Sequence, residues 1–122
     1  MGFLGKTSRL LIFFAQIPAD IPVRLIGGRD NSEGRVEVFH DEEWHTVCDD
    51  SFGAPEADVV CKTLGFVDGG STEGTKLPHP FGAGVGRISK ISCQGGEPQL
   101  RDCSIARTFC KHHEDVGVVC QK

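Results

Sequence analysis

A chain of 122 residues fits one domain and leaves little room for a second. With 39% hydrophobic and 25% charged residues the composition is globular, not disordered. A net charge of −4 argues against a general nucleic-acid binder, whose affinity rests on an excess of Lys and Arg facing phosphate.

Residues 1–22, MGFLGKTSRLLIFFAQIPADIP, carry Lys6 and Arg9, then the apolar run LLIFFA, then small residues at Ala15 and Ala19. That is the outline of a secretory signal with a short apolar core; the alternative is an incidental leader or a fragment boundary. The run is far too short to span a membrane, which takes about 20 apolar residues. A domain is expected over 23–122.

VRLIGG (23–28) reads as a short strand stopped by two glycines. GRVEVFH (34–40) alternates, with Val36 and Val38 on one face and Arg35, Glu37 and Phe39 on the other. DEE (41–43) is a charged turn, and EWHTVCDD (43–50) alternates again with Trp44, Thr46 and Cys48 on one face. The two runs predict an antiparallel hairpin.

In SFGAPEADVVCKTLGF (51–66) the period changes. Ala57, Val60, Cys61 and Leu64 follow i, i+3, i+4, i+7, the stripe of a helix. Pro55 suits its first turn, Glu56 and Asp58 favour its positive end, and Gly65 suits its stop. Residues 67–86 are rich in glycine and read as a long loop. RISKISC (87–93) is a short strand, EPQLRDC (97–103) one helical turn, and DVGVVC (115–120) a final buried strand.

Six cysteines stand at 48, 61, 93, 103, 110 and 120. Their even number, the lack of a CxxC pair and the long spacings point to disulfides, not zinc, and so to an oxidising, extracellular compartment. Six cysteines allow 15 pairings, among which spacing alone does not choose.

The runs RLIGGRDNSEGRVEVFHDEEWHTVCDDSF, ADVVCKTLGF, ISCQGGEPQLRDC and CKHHEDVGVVC resemble the scavenger receptor cysteine-rich domain, six-cysteine subgroup, from Val23 to Gln121. The resemblance implies an α+β fold, a curved antiparallel sheet cradling one main helix, with long loops. It implies the pairings Cys48–Cys110, Cys61–Cys120 and Cys93–Cys103. It also implies a calcium site at Asp49, Asp50 and Glu114. A Cys48–Cys110 bridge would gather those three carboxylates, which repel unless a cation joins them, and calcium accepts such oxygens without strict geometry. The alternative is a solvated acidic face in which one aspartate caps a turn.

The chain departs from the family pattern in carrying His45 where glycine is usual and Phe52 where tryptophan is usual. A second cation site found in some relatives lacks its acids and its asparagine, since Ser89, Lys90 and Phe109 stand in those places. Some relatives bind polyanions such as bacterial surface polymers through arginine clusters. Arg35, Arg87 and Lys90, with Arg24 and Arg29, are the candidates here, although Glu33 interrupts the segment where paired arginines are usual. Ordinary solvated surface is the competing role for each.

Enzyme readings fare poorly. G-x-S-x-G, H-E-x-x-H and a phosphate-cradling glycine loop are absent, and GAGVG (82–86) precedes no helix pattern. His112, His113, Glu114 and Asp115 cluster, but beside Cys110 they suit a structural or cation-adjacent role. The expectation is a non-catalytic extracellular module, secreted or part of an ectodomain, binding protein or polyanionic ligands with calcium. The alternative is an accessory or structural domain of a larger secreted or membrane-anchored protein.

Overall fold

The computed structural model describes residues 20–72 and 81–122, so most of the leader segment and part of the long loop lie outside the described residues. Strand β1 (Val23–Gly27) pairs antiparallel with β2 (Glu33–His40), which pairs in turn with β3 (Glu43–Val47). The hairpin expected over 34–50 is present. Its two-residue turn, Asp41–Glu42, has φ of 51° and 66°, the left-handed geometry that matches the twist of paired strands.

β2 organises the sheet. Arg35 pairs with Ile26 of β1 and with Gly117 of β7 (Gly117–Cys120), while Val38 pairs with Val23 of β1 and His45 of β3. β3 and β7 therefore share one edge of β2, end to end, opposite β1. The short β4 (Gly70–Ser71) extends the sheet beyond β7, and β5 (Ile88–Ser92) and β6 (Ser104–Arg107) extend it beyond β3.

The sheet is curled, as expected, but mixed rather than antiparallel, because β3 and β5 run parallel through Thr46↔Ile88 and Val47↔Ser89. The chain between them passes through α1 (Ala54–Thr63) and β4, a crossover long enough to return it in the same direction. Strands β4 and β6 were not anticipated. β4 is two residues long, and β6 (SIAR) is largely exposed and has no hydrophobic alternation to announce it.

Helix α1 stops as its sequence suggests. Gly65 takes φ +97° and donates to Lys62 O at 2.9 Å, and Phe66 N–H donates to Cys61 O at 2.9 Å, the paired bonds of a Schellman motif. The stripe Ala57, Val60, Cys61 is fully buried, and so is Val59, because α1 packs against β4 and β7 and also against the 3-10 turn Leu100–Asp102. Leu100 joins Val36, Val38, Val47, Val116 and Val118 in the core.

The three disulfides are Cys48–Cys110, Cys61–Cys120 and Cys93–Cys103, the pairings implied by the resemblance. Cys61–Cys120 fastens α1 to β7, and Cys93–Cys103 fastens the end of β5 to the start of β6.

Candidate functional site

The end of β3 is joined to the segment before β7 mainly by backbone. Val116 N–H donates to Val47 O at 2.8 Å and Asp49 N–H to Glu114 O at 2.8 Å, and Cys48 forms an isolated antiparallel bridge with Asp115. The Cys48–Cys110 disulfide closes the same corner, with Cα atoms 6.2 Å apart.

The result is that carboxylate oxygens of Asp50 and Glu114 lie within 4.8 Å of each other and of both sulfurs. Those sulfurs are bonded to one another and offer no thiolate, so the ligand atoms are hard oxygens. Asp50 is exposed and the Glu114 side chain is 31% exposed, which leaves room for waters to complete a shell. Asp49, expected as the third carboxylate, contributes its backbone to the corner, and its side chain is not in that group of atoms. His113 Nε2 stands 3.5 Å from Glu114 Oε1. Two carboxylates gathered at an open corner fit a calcium-like cation, which tolerates irregular oxygen sets.

A second cluster holds the loop at 82–86. His112 Nε2 meets Gly86 O at 2.8 Å, and its Nδ1 meets the two Asp115 carboxylate oxygens at 3.1 and 3.0 Å. Asp115 is fully buried and also accepts Gly84 N–H at 2.8 Å. A Cβ at Gly84 would stand 2.5 Å from Thr46 Cγ2, so this close approach requires glycine. This covering also explains why Thr46 is buried together with His45 and Val47, where alternation alone would expose one face. Both imidazole nitrogens are engaged, and Thr46 Oγ1 lies 3.3 Å from His112 Nδ1, so the cluster ties the loop to β3.

The basic candidates do not form one patch. Arg35 gives Nε and Nη2 to Glu37 at 3.0 and 2.9 Å, and Nη1 to Phe81 O and Gly82 O at 3.1 and 3.0 Å. Its side chain is only 12% exposed. Arg24 reaches the same Glu37 at 2.7 Å and lies 4.1 Å from the centroid of the Trp44 ring, a cation–π contact. Arg29 is held by Glu33 at 2.9 Å, and that pairing keeps the Glu33 carboxyl below its ordinary range. Arg87 meets Glu43 at 2.9 Å and stays half exposed, and Lys90 is half-buried opposite Ala106.

His45 is fully buried. Its Nδ1 lies 2.8 Å from Ser89 Oγ and its Nε2 has no hydrogen-bond partner among the described residues, since Glu43 Oε1 at 3.9 Å is out of range. Burial pushes its pKa below the ordinary 6.5.

Sequence reasoning missed Arg107, Phe109 and Lys111, which line a groove next to Cys110. The only available signal was an aromatic between basic residues in a segment with no periodicity.

The family model for the scavenger receptor cysteine-rich domain matches residues 26–121. The chain belongs to the scavenger receptor cysteine-rich family. Lysyl oxidase homolog 2B of Danio rerio is 44% identical over 114 residues, covering 86% of this chain and 15% of that protein. A scavenger receptor cysteine-rich domain superfamily protein of Patiria pectinifera is 40% identical over 111 residues, covering 87% of the chain and 10% of that protein. The chain thus spans a small part of the relatives it matches. Among solved structures, the third such domain of murine neurotrypsin superposes with a TM-score of 0.72 at 38% identity, covering 82% of this chain and 95% of that one. The domain of mouse MARCO, in its dimeric form, gives 0.60 at 30% identity, covering 91% and 98%. Scavenger receptor cysteine-rich domains are non-catalytic modules of larger extracellular proteins. No helix among the described residues is long and apolar enough to cross a membrane.

Proposed function

We propose that this domain is a recognition module that binds extracellular protein or polyanionic ligands, with calcium held at the corner of Asp50 and Glu114 and Asp49 completing it. The observation that carries the reading is the approach of the Asp50 and Glu114 carboxylate oxygens to within 4.8 Å across the Cys48–Cys110 corner. Like charges at that distance favour a shared cation. Calcium bound there would supply a positive centre for an acidic ligand group, while the chain's own carboxylates set its place.

Calorimetric titration of calcium into wild type, Asp50→Ala and Asp49→Ala tests this. Saturable heat and a calcium-dependent thermal shift are expected for wild type, abolished by Asp50→Ala and weakened by Asp49→Ala. No heat and no shift with wild type would refute the metal reading.

A second reading is an accessory domain that orders a larger protein and has no ligand of its own. The small share of its relatives that the chain spans favours it. Binding of an extracellular ligand by the isolated chain would decide for the first reading.

A further inference from the structure

A groove of about 620 Å³ runs between the start of β5 and the segment that follows β6. Among the described residues its lining carries Arg87, Arg107, Lys111 and His112 and no carboxylate, in a chain whose net charge is −4. The Lys111 ammonium meets no carboxylate among the described residues. Arg87 and Arg107 touch Glu43, at the start of β3, at 2.9 Å and Asp41, in the β2–β3 turn, at 3.4 Å, acids that stand outside the groove. These four side chains are 48–61% exposed, and such surface pairs are weak enough to be exchanged for an incoming carboxylate.

In the middle of these cations stands Phe109, whose ring is wholly exposed. It precedes Cys110, which is fixed to Cys48 by a disulfide, so the ring is offered from a tethered backbone. Aromatic residues and arginine are enriched where proteins meet. A polysaccharide anion would satisfy the cations and could lay only the C–H face of a hydroxylated sugar on the ring, whereas a Leu or Phe side chain covers it with wholly apolar surface.

We propose that this groove docks an acidic protein segment, its carboxylates on Arg87, Arg107 and Lys111 and an apolar side chain beside them packed on Phe109. The proposal rests on the reading of the domain as a recognition module and names its partner class, but it needs no cation.

The test pans a dodecapeptide phage library on the oxidised 122-residue chain in calcium and in EDTA. Enriched peptides are then titrated against wild type, Phe109→Ser, Lys111→Glu and Asp50→Ala. Phe109 and Lys111 are exposed and outside the core, so their variants fold. The expected result is enrichment of sequences pairing Asp or Glu with Leu or Phe. Each groove variant should weaken them by at least about tenfold, and amide shifts should move at 87–88 and 107–112. No enrichment, or peptides that bind Phe109→Ser as tightly as wild type, would overturn it. Peptides of acids alone that dextran sulfate displaces equally from wild type and Phe109→Ser would mean a polyanion surface, also overturning it. Peptides lost in EDTA and with Asp50→Ala, yet unaffected by Phe109→Ser, overturn the groove and leave the calcium reading standing. Groove-sensitive peptides without calcium heat do the reverse.

Discussion

Glu56 joins the helix to the sheet, and removing it should be among the costliest single changes in the domain. The residue is 6% exposed, and each carboxylate oxygen accepts a backbone N–H, Oε1 from Gly53 at 2.8 Å and Oε2 from Cys93 at 2.9 Å. The first bond caps the start of α1 and the second ties that start to the end of β5. In Glu56→Ala both N–H groups lose a charged acceptor, a bond contributing about 1.5–3 kcal/mol. Gly53 and Cys93 are half-buried, so water recovers part of the loss, and the expected cost is about 3 kcal/mol. In a domain of this size that lowers Tm by about 10–20 °C. Glu56→Gln keeps one acceptor and turns an amide NH₂ toward the other N–H, so it should lose about half as much. Thermal and urea unfolding of the oxidised protein, followed by circular dichroism, measures both. An Ala variant within about 0.5 kcal/mol of wild type, or a Gln variant no better than Ala, would refute the assignment.

His45 predicts a pH dependence. Burial depresses its folded pKa below the 6.5 of the unfolded chain, so acidification protonates the unfolded state first. Stability should fall as pH drops from about 6.5 toward the lowered value and change little above it. Urea midpoints at pH 7.5, 6.5 and 5.5 should therefore fall more steeply in wild type than in His45→Asn; equal slopes would remove His45 as the cause. The β2–β3 turn predicts a gain, because Glu42 sits at φ 66° with a side chain that disfavours it. Glu42→Gly should raise stability by about 1 kcal/mol, and Glu42→Val should lower it, by urea midpoint.

The elements that could be read in the sequence are those whose burial is one-sided. The Ala57–Val60–Cys61 stripe and Gly65 identify α1 because one face of a helix meets the core and a glycine ends it. The β2–β3 hairpin is legible because a two-residue turn fixes its register. The parallel β3–β5 pair was not legible, since nothing in Thr46 or Ile88 encodes direction, and the direction follows from a crossover of 40 residues. The acidic corner was legible only through resemblance. Neighbouring residues 49 and 50 look equivalent in sequence, yet the turn that follows β3 sends Asp50 toward Glu114 and leaves Asp49 to bond through its backbone. The groove at Phe109 was illegible because its residues gain meaning only when Arg87, from the segment just before β5, comes alongside.

That corner separates stability from site geometry. The Cys48–Cys110 bridge spans 62 residues, and closing a loop of that length stabilises by about 4 kcal/mol in the chain-entropy account. The approach of Glu114 to Asp50, however, is also fixed by the Val116–Val47 and Asp49–Glu114 backbone bonds and by the Cys48–Asp115 bridge. Asp115 is in turn held by Gly84 and His112. Cys48→Ala/Cys110→Ala should therefore lose about 4 kcal/mol in urea unfolding and yet, below its own unfolding transition, bind calcium within a few-fold of wild type. If the disulfide alone gathers the acids, the variant will fold and lose calcium heat altogether. If the backbone gathers them, the heat will survive at low temperature and disappear only with the fold. Calorimetry at 10 °C, paired with circular dichroism on the same sample, distinguishes these outcomes, and the hydrogen-bonded β3–β7 junction predicts the second.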